Sequence, residues 1–276
     1  MIEVIERPRI NPTTREVVRE FCRRTRQPAI AREEGGRLEL TDLEVEAGGE
    51  LDTPLLRLGE MVLRFHREAV LSWDRLPLGD EAEWARRDDE IDREAWFLER
   101  RITLDSERRL GCSWTVPGAW TVARSLERIA DHAVTLGELG PRLADLGDEA
   151  GPLRELRQFH GQAMRHLEEV LRHHDGARAN DLLDVGEALL AGGRALADRL
   201  LPSVGDGSMA PAVAASVARA LDATARTVAY SQDIAQAFFD HGATLSGSAA
   251  LRTGRSALVG SRSGTDSRAG PRRLTP

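Results

Sequence analysis

Lysine is absent from this sequence: all 38 of its Lys and Arg residues are arginine. A Walker A phosphate loop, which needs a lysine, is therefore excluded. Cysteine is almost absent too. Cys22 and Cys112 are far apart and outside any Cys-x-x-Cys spacing, so neither a disulfide framework nor a zinc ribbon is expected, and a reducing cytoplasm fits. Aromatic residues make up only 4% of the chain, so its core must come from Leu, Ala, Val and Ile, which suits helices better than a β-sandwich. No apolar run approaches the roughly 18 residues of a membrane span. The opening "MIEVIERPRI" lacks the basic start and apolar stretch of a signal peptide. A cytoplasmic protein without membrane insertion is the expectation. With a formal net charge of −7 and a pI near 5.6, the molecule carries no general field for nucleic acid.

What is present is a long series of helix formers, preceded by something different. Residues 1–52 read as a small α/β module. Ile2, Val4 and Ile5 begin it, and "NPTTREVVREFCRRT" offers Asn11 or Thr13 as the cap of a short helix. Two alternating runs around Gly35-Gly36 then signal a hairpin. From Thr53 the pattern predicts six helices: about 54–73, 81–104, one after "GCSWTVPGAW" closing at Gly140-Pro141, 151–174, 180–201 and 211–241. That is three helices, a break, and three again. "LRLGEMVLRFHREAV" resembles "LRELRQFHGQAMRHLEEV", and "ERIADHAVTLGE" resembles "ARTVAYSQDIAQ" about 100 residues later. A repeated three-helix unit follows. The fold class is mainly α: two tandem three-helix bundles, 53–141 and 152–243, behind the α/β module. Residues 244–276, rich in Ser, Gly and Arg, are expected to be a disordered tail.

One pattern does not follow from helix building. In "ARSLERIADHAVTLGE", Leu126, Ile129, Ala130, Ala133 and Leu136 line one face, while Glu127, Asp131 and Glu138 share another within about 40°. The preceding helix repeats the spacing with Asp88, Asp92 and Glu99, flanking an apolar stripe of Trp84, Ile91, Ala95, Leu98 and Ile102. Carboxylates at i, i+4 on two neighbouring helices can clasp hard or borderline cations. They can equally be solvated surface, with Arg124–Glu127 and Arg128–Asp131 as i, i+3 pairs. No histidine follows a Glu by three residues, so the Glu-x-x-His pairs of di-iron bundles are absent. His-Glu-x-x-His and Gly-x-Ser-x-Gly are absent too, and nothing proposes a nucleophile or general base, so an enzyme is not expected. His132 reads as a packing or surface residue, and His173-His174 as a polar C-terminal turn.

"RSLERIADHAVTLGE" resembles the closing helix of PhoU domains, the phosphate-signalling accessory proteins, and "RRDDEIDREAWFLERRI" resembles the helix before it, particularly in archaeal-type members. The resemblance runs from about Leu55 to His241 and is much weaker in the second half. The segment "REVVREFCRRTRQPAIAREEGGRLELTDLEVE" is similar to the linker between an AbrB-like DNA-binding hairpin and the PhoU repeats of archaeal regulators, with the hairpin itself missing. The family implies two three-helix bundles and a multinuclear iron or zinc cluster held by Glu/Asp-x-x-x-Asp motifs. By position these are Asp88 with Asp92 and Glu127 with Asp131, while Asp89, Glu99 and Glu138 are lesser candidates. In the second repeat, Ala225 and Ala229 stand where the acids would be, so at most one cluster is expected.

The family also implies function. A PhoU-like protein restrains phosphate uptake or phosphate-responsive signalling as a negative regulator, by docking on a phosphate ABC transporter ATPase or a phosphate-sensing histidine kinase. A homodimer is expected from symmetry. The alternatives are a transcription regulator of phosphate genes acting on DNA with a partner subunit or the arginine-rich tail, and a helical scaffold whose acids are plain surface charge. Residues 1–10 are too short to supply an AbrB-like hairpin domain, so direct DNA binding by this polypeptide is not expected.

Overall fold

The computed structural model describes residues 2–6, 9–24, 28–34, 36–42, 51–74, 81–107, 114–146, 151–200 and 209–260, the last stretch by backbone alone beyond 243. Cys112, Asp80 and residues 261–276 lie outside the described residues.

The N-terminal module holds β1 (Ile2–Ile5), α1 (Pro12–Arg24), β2 (Pro28–Glu34) and β3 (Arg37–Asp42). Asn11 is the cap: its Oδ1 accepts from the Thr14 amide at 2.7 Å, and Pro12 starts the helix where no amide donor is needed. The hairpin turns at Gly36, whose φ of 86° a side chain would resist. The sheet is antiparallel in the order β1-β3-β2, with a register shift in β2 between Ile30 and Arg32. Ile10, Val18, Leu38 and Leu40 make a small core of their own. Cys22 packs against it, and burial pushes its thiol upward, away from a reactive thiolate.

Six helices follow: α2 (Asp52–Leu71), which ends in a short 3-10 turn at Ser72–Asp74, α3 (Glu81–Glu107), α4 (Val116–Ala144), α5 (Gly151–Arg172), α6 (Ala179–Leu200) and α7 (Pro211–Gly260). Their packing repeats. In the first half α2 and α3 lie on α4; in the second α5 and α6 lie on α7. The two halves join along α4 and α7, and again where α2 meets α5. The outcome is two three-helix bundles with one continuous apolar core, which includes Leu58, Val62, Leu126, Ile129, Leu136, Leu167, Val217, Val228 and Ile234.

Part of this shared core is polar. The Phe-His dipeptide of each repeat brings His66 of α2 and His160 of α5 together, Nδ1 to Nε2, at 3.1 Å. His66 Nε2 lies 2.8 Å from the carbonyl of Ile129, which can only accept. Nε2 of the neutral His66 ring therefore carries the proton, Nδ1 accepts, and His160 Nε2 donates to it. Burial drives the His66 pKa down to about 4 and His160 well below its ordinary value. Arg157 of α5 also pairs with Asp74 at the end of the 3-10 turn. Both contacts cross between the halves.

Two sequence expectations change. The third helix does not close at Gly140-Pro141; α4 runs through Pro141 to Ala144. Proline has no amide to give the carbonyl four residues back, that of Gly137. Ser72 Oγ donates to the Ala69 carbonyl at 2.6 Å and lies 3.3 Å from that of Gly137, which thus gets a share of its one proton, while Trp73 Nε1 donates to the neighbouring Leu136 carbonyl at 3.0 Å. The orphaned acceptor is thus partly served from the 3-10 turn that ends α2, and the helix runs on to Ala144. The last helix does not stop near His241 either. Residues 244–260, expected in a disordered tail, continue α7. "SGSAALRTGRSALVG" holds no proline, and its alanine, leucine and arginine favour continuation.

Candidate functional site

The α3–α4 contact is fixed by a bulky residue set on a bare one. Trp84 lies over Gly137, where even a Cβ would come within 2.7 Å of the ring. Moving up α3 from Trp84 to Asp88 and Asp92 therefore means moving down α4 from Gly137 towards Asp131 and Glu127. Trp84, Ile91, Ala95, Leu98 and Ile102 are all buried, so the predicted stripe does face the core. The acids emerge at its edge.

Asp88 has a more perturbed carboxyl group than Asp131. Burial, then Asp92, then Asp131, with smaller contributions from Asp89 and Glu127, raise its pKa to about 7. Every charge acting on it is another carboxylate. Its Oδ1 is buried and receives no hydrogen bond. Asp131, nearer the rim, is raised to about 6 by burial, then by Glu127 and Asp92, with Arg128 opposing. The structure thus brings Asp88, Asp92, Glu127 and Asp131 within electrostatic reach of one another.

The lesser candidates separate from this group. Asp89 reaches outward to Arg23 of α1 at 3.9 Å. Glu99 pairs with Arg124 of α4 at 3.3 Å. Glu138 is exposed, three turns of α4 away from Glu127. The two i, i+3 pairs that would have made the row ordinary surface do not form. Arg124 spans to α3, and Arg128 crosses to α7, donating to the Tyr230 hydroxyl at 3.2 Å.

Tyr230 carried no signal of its own in the sequence, yet the repeat points to it. The offset that aligns Arg128 with Arg226 sets His132 opposite Tyr230, and these two rings stack at 5.8 Å. Burial and the nearby Arg226 lower the His132 pKa, so His132 is a neutral packing group, as its sequence context implied. His173 pairs with Glu169 at 3.6 Å in the terminal turn of α5.

The donor set is oxygen-only, concentrated and short of positive charge, which suits a hard or borderline cation. The orphaned Asp88 oxygen fits that reading. Among the described residues, however, no three His, Cys, Asp or Glu groups converge closely enough to enclose an ion as they stand. The site is a charge sink rather than a finished cage.

No curated protein and no solved structure gives a significant match to the chain. The family model of the PhoU domain matches residues 55–139, a stretch that begins in α2 and ends in α4. Among the described residues no helix is long and apolar enough to cross a membrane. The four clustered carboxylates all fall inside the stretch, residues 55–139, that matches the PhoU domain.

Proposed function

We propose that the protein regulates phosphate uptake or phosphate-responsive signalling without catalysis. It does so through contact with a phosphate ABC transporter ATPase or a phosphate-sensing kinase, assisted by metal at the α3–α4 carboxylates. The PhoU domain supports a role in phosphate homeostasis in general. The observation that carries the finer reading is Asp88, held near a pKa of 7 by burial and by other carboxylates, with an unpartnered buried oxygen. Structural carboxylates seldom gather without arginines between them, because mutual repulsion costs stability. A cation removes that cost. Iron or zinc would be held by Asp88 and Asp92 of α3 and by Glu127 and Asp131 of α4, supplying positive charge that fastens the two helices. The residues themselves provide negative charge and a partly dry setting, and Arg128 is turned away to Tyr230.

The test pairs metal content with partner capture. Protein purified from cells should contain iron or zinc, and Glu127→Ala with Asp131→Ala should remove it while helicity is retained. Tagged protein from high-phosphate and low-phosphate cultures should retain a transporter ATPase or a sensor kinase in a phosphate-dependent way. Unchanged metal in the variant would overturn the metal reading, and the absence of any phosphate-dependent partner would overturn the regulatory one.

A further inference from the structure

On the opposite side of α2 from its packing against α4 lies a feature of the other sign. A groove of about 900 Å³ runs between α2 and the C-terminal end of α5, and Arg57, Arg64, Arg67 and Arg172 line it against only Glu60 and Glu168. An excess of two positive charges gathers there on a protein whose net charge is −7. We propose that this groove binds a di- or triphosphate chain, carried by a nucleotide or by inorganic polyphosphate.

The arginines differ in what occupies them. Arg172 is committed to Glu168 at 2.9 Å and to Glu169. Arg67 spends its Nε on the carbonyl of Leu63 at 3.3 Å, leaving the outer guanidinium nitrogens. Arg57 and Arg64 form no ion pair or hydrogen bond among the described residues, although Glu60 stands between them at i, i+3 and i, i+4 spacing. They stand two turns apart on one face of α2, about 10 Å along its axis. One phosphate cannot engage both guanidinium forks without drawing them in, whereas a chain of two or three can. Guanidinium matches phosphate oxygens in bidentate geometry, which lysine cannot do.

Two more observations favour a built groove over a solvated helix face. Its sides are held together by a close approach: a Cβ on Gly59 would meet Leu171 Cδ1 at 2.6 Å. That contact sets α2 and α5 at the spacing that leaves the groove open above it. His174 lines the far end, and its Nδ1 is buried without a partner. Met61 and Leu171 add apolar surface of the kind a nucleoside would cover. The size falls within the usual range of small-ligand sites.

The test uses the full chain with chelator present, so that the carboxylate cluster takes no part. Titration calorimetry with sodium tripolyphosphate and with ATP should show saturable binding of at least one of them. Arg57→Gln with Arg64→Gln should weaken it tenfold or more, while Arg154→Gln, an exposed arginine of α5 outside the groove, should leave it unchanged. Arg57→Lys with Arg64→Lys, which keeps charge and fold but not the forks, should fall between. Equal affinity for the two ligands assigns the site to the inorganic chain; tighter ATP assigns it to a nucleotide. Failure of both ligands to bind overturns the proposal, as does undiminished binding by the glutamine variant, equal weakening by Arg154→Gln, or citrate binding as tightly as tripolyphosphate. None of these outcomes bears on the metal content at Asp88 and its neighbours.

Discussion

His66 and His160, 94 residues apart, share one proton-ordered contact in the shared core: His160 Nε2 donates to His66 Nδ1 at 3.1 Å, and His66 Nε2 donates to the Ile129 carbonyl. Each half of the duplication contributes one ring, so this pair is where the halves inspect one another. Replacing His66 by Leu removes both contacts and strands His160 Nε2 in an apolar setting. A loss of about 2–4 kcal/mol in urea unfolding is expected.

The same pair sets an acid limit. The His66 pKa is about 4 in the folded state against an ordinary 6.5, so the unfolded chain takes up a proton that the native state refuses. Stability from this group is complete above pH 6.5 and falls as pH drops towards 4, by at most about 3 kcal/mol. His66→Leu should flatten that decline, as read by chemical denaturation at pH 4.5 and 7.

The carboxylates act in the opposite direction over the same window. Asp88 and Asp131 have native pKa values of about 7 and 6, above the ordinary 3.8. Protonation therefore favours the metal-free native state at low pH, and that advantage is lost as pH rises from 4 to 7. Asp88→Asn with Asp131→Asn should stabilise the metal-free protein at pH 8 by on the order of 1 kcal/mol, since both groups are partly solvated. It should also unmask the steeper acid decline due to the histidines. Thermal melts at pH 5 and 8 decide this.

A cation response should map on four residues and not seven. With iron or zinc added at pH 8, the wild-type melting temperature should rise, and Asp88→Asn should abolish the rise. Asp89→Asn and Glu99→Gln should preserve it, because those acids already have Arg23 and Arg124. Each of these two changes should alter stability itself by less than about 1 kcal/mol.

Gly140 and Ser72 form a tight steric pair, since a Cβ at Gly140 would lie 2.2 Å from Ser72 Oγ. Gly140→Ala should cost about 2 kcal/mol or more, through overpacking against Ser72 and displacement of the hydroxyl that donates to the Ala69 carbonyl at 2.6 Å and approaches that of Gly137 at 3.3 Å. Adding Ser72→Gly should recover part of that loss. A double-mutant cycle gives the coupling, and additive losses would contradict it.

Much of this was legible in the chain. Period 3.6 marks the six long helices, Asn11 is one of two caps on offer with Thr13, and the i, i+4 acids are those that packing brings within electrostatic reach. Helix ends were less legible, because their causes lie elsewhere in the sequence. Nothing near Pro141 says that Ser72, 69 residues earlier, will approach the orphaned Gly137 carbonyl. The partners of the arginines were hidden for a similar reason. Spacing along α4 pairs Arg124 with Glu127, and only the packing of α3 shows Glu99 to be its partner. The repeat was visible as two Phe-His dipeptides, but their meeting depends on α2 and α5 being brought side by side.

The placement of α4 has a mechanical consequence. It is clamped between α2, α3 and α7, and its seam with α7 is the broadest in the molecule. Helix α3 has α4 on one side and little but α2 and the touch of α1 elsewhere. Repulsion between the acids of these two helices therefore meets an anvil on one side and a hammer on the other. A change of charge at the cluster bears first on α3, the helix that also carries Asp89, 3.9 Å from Arg23 of the N-terminal module.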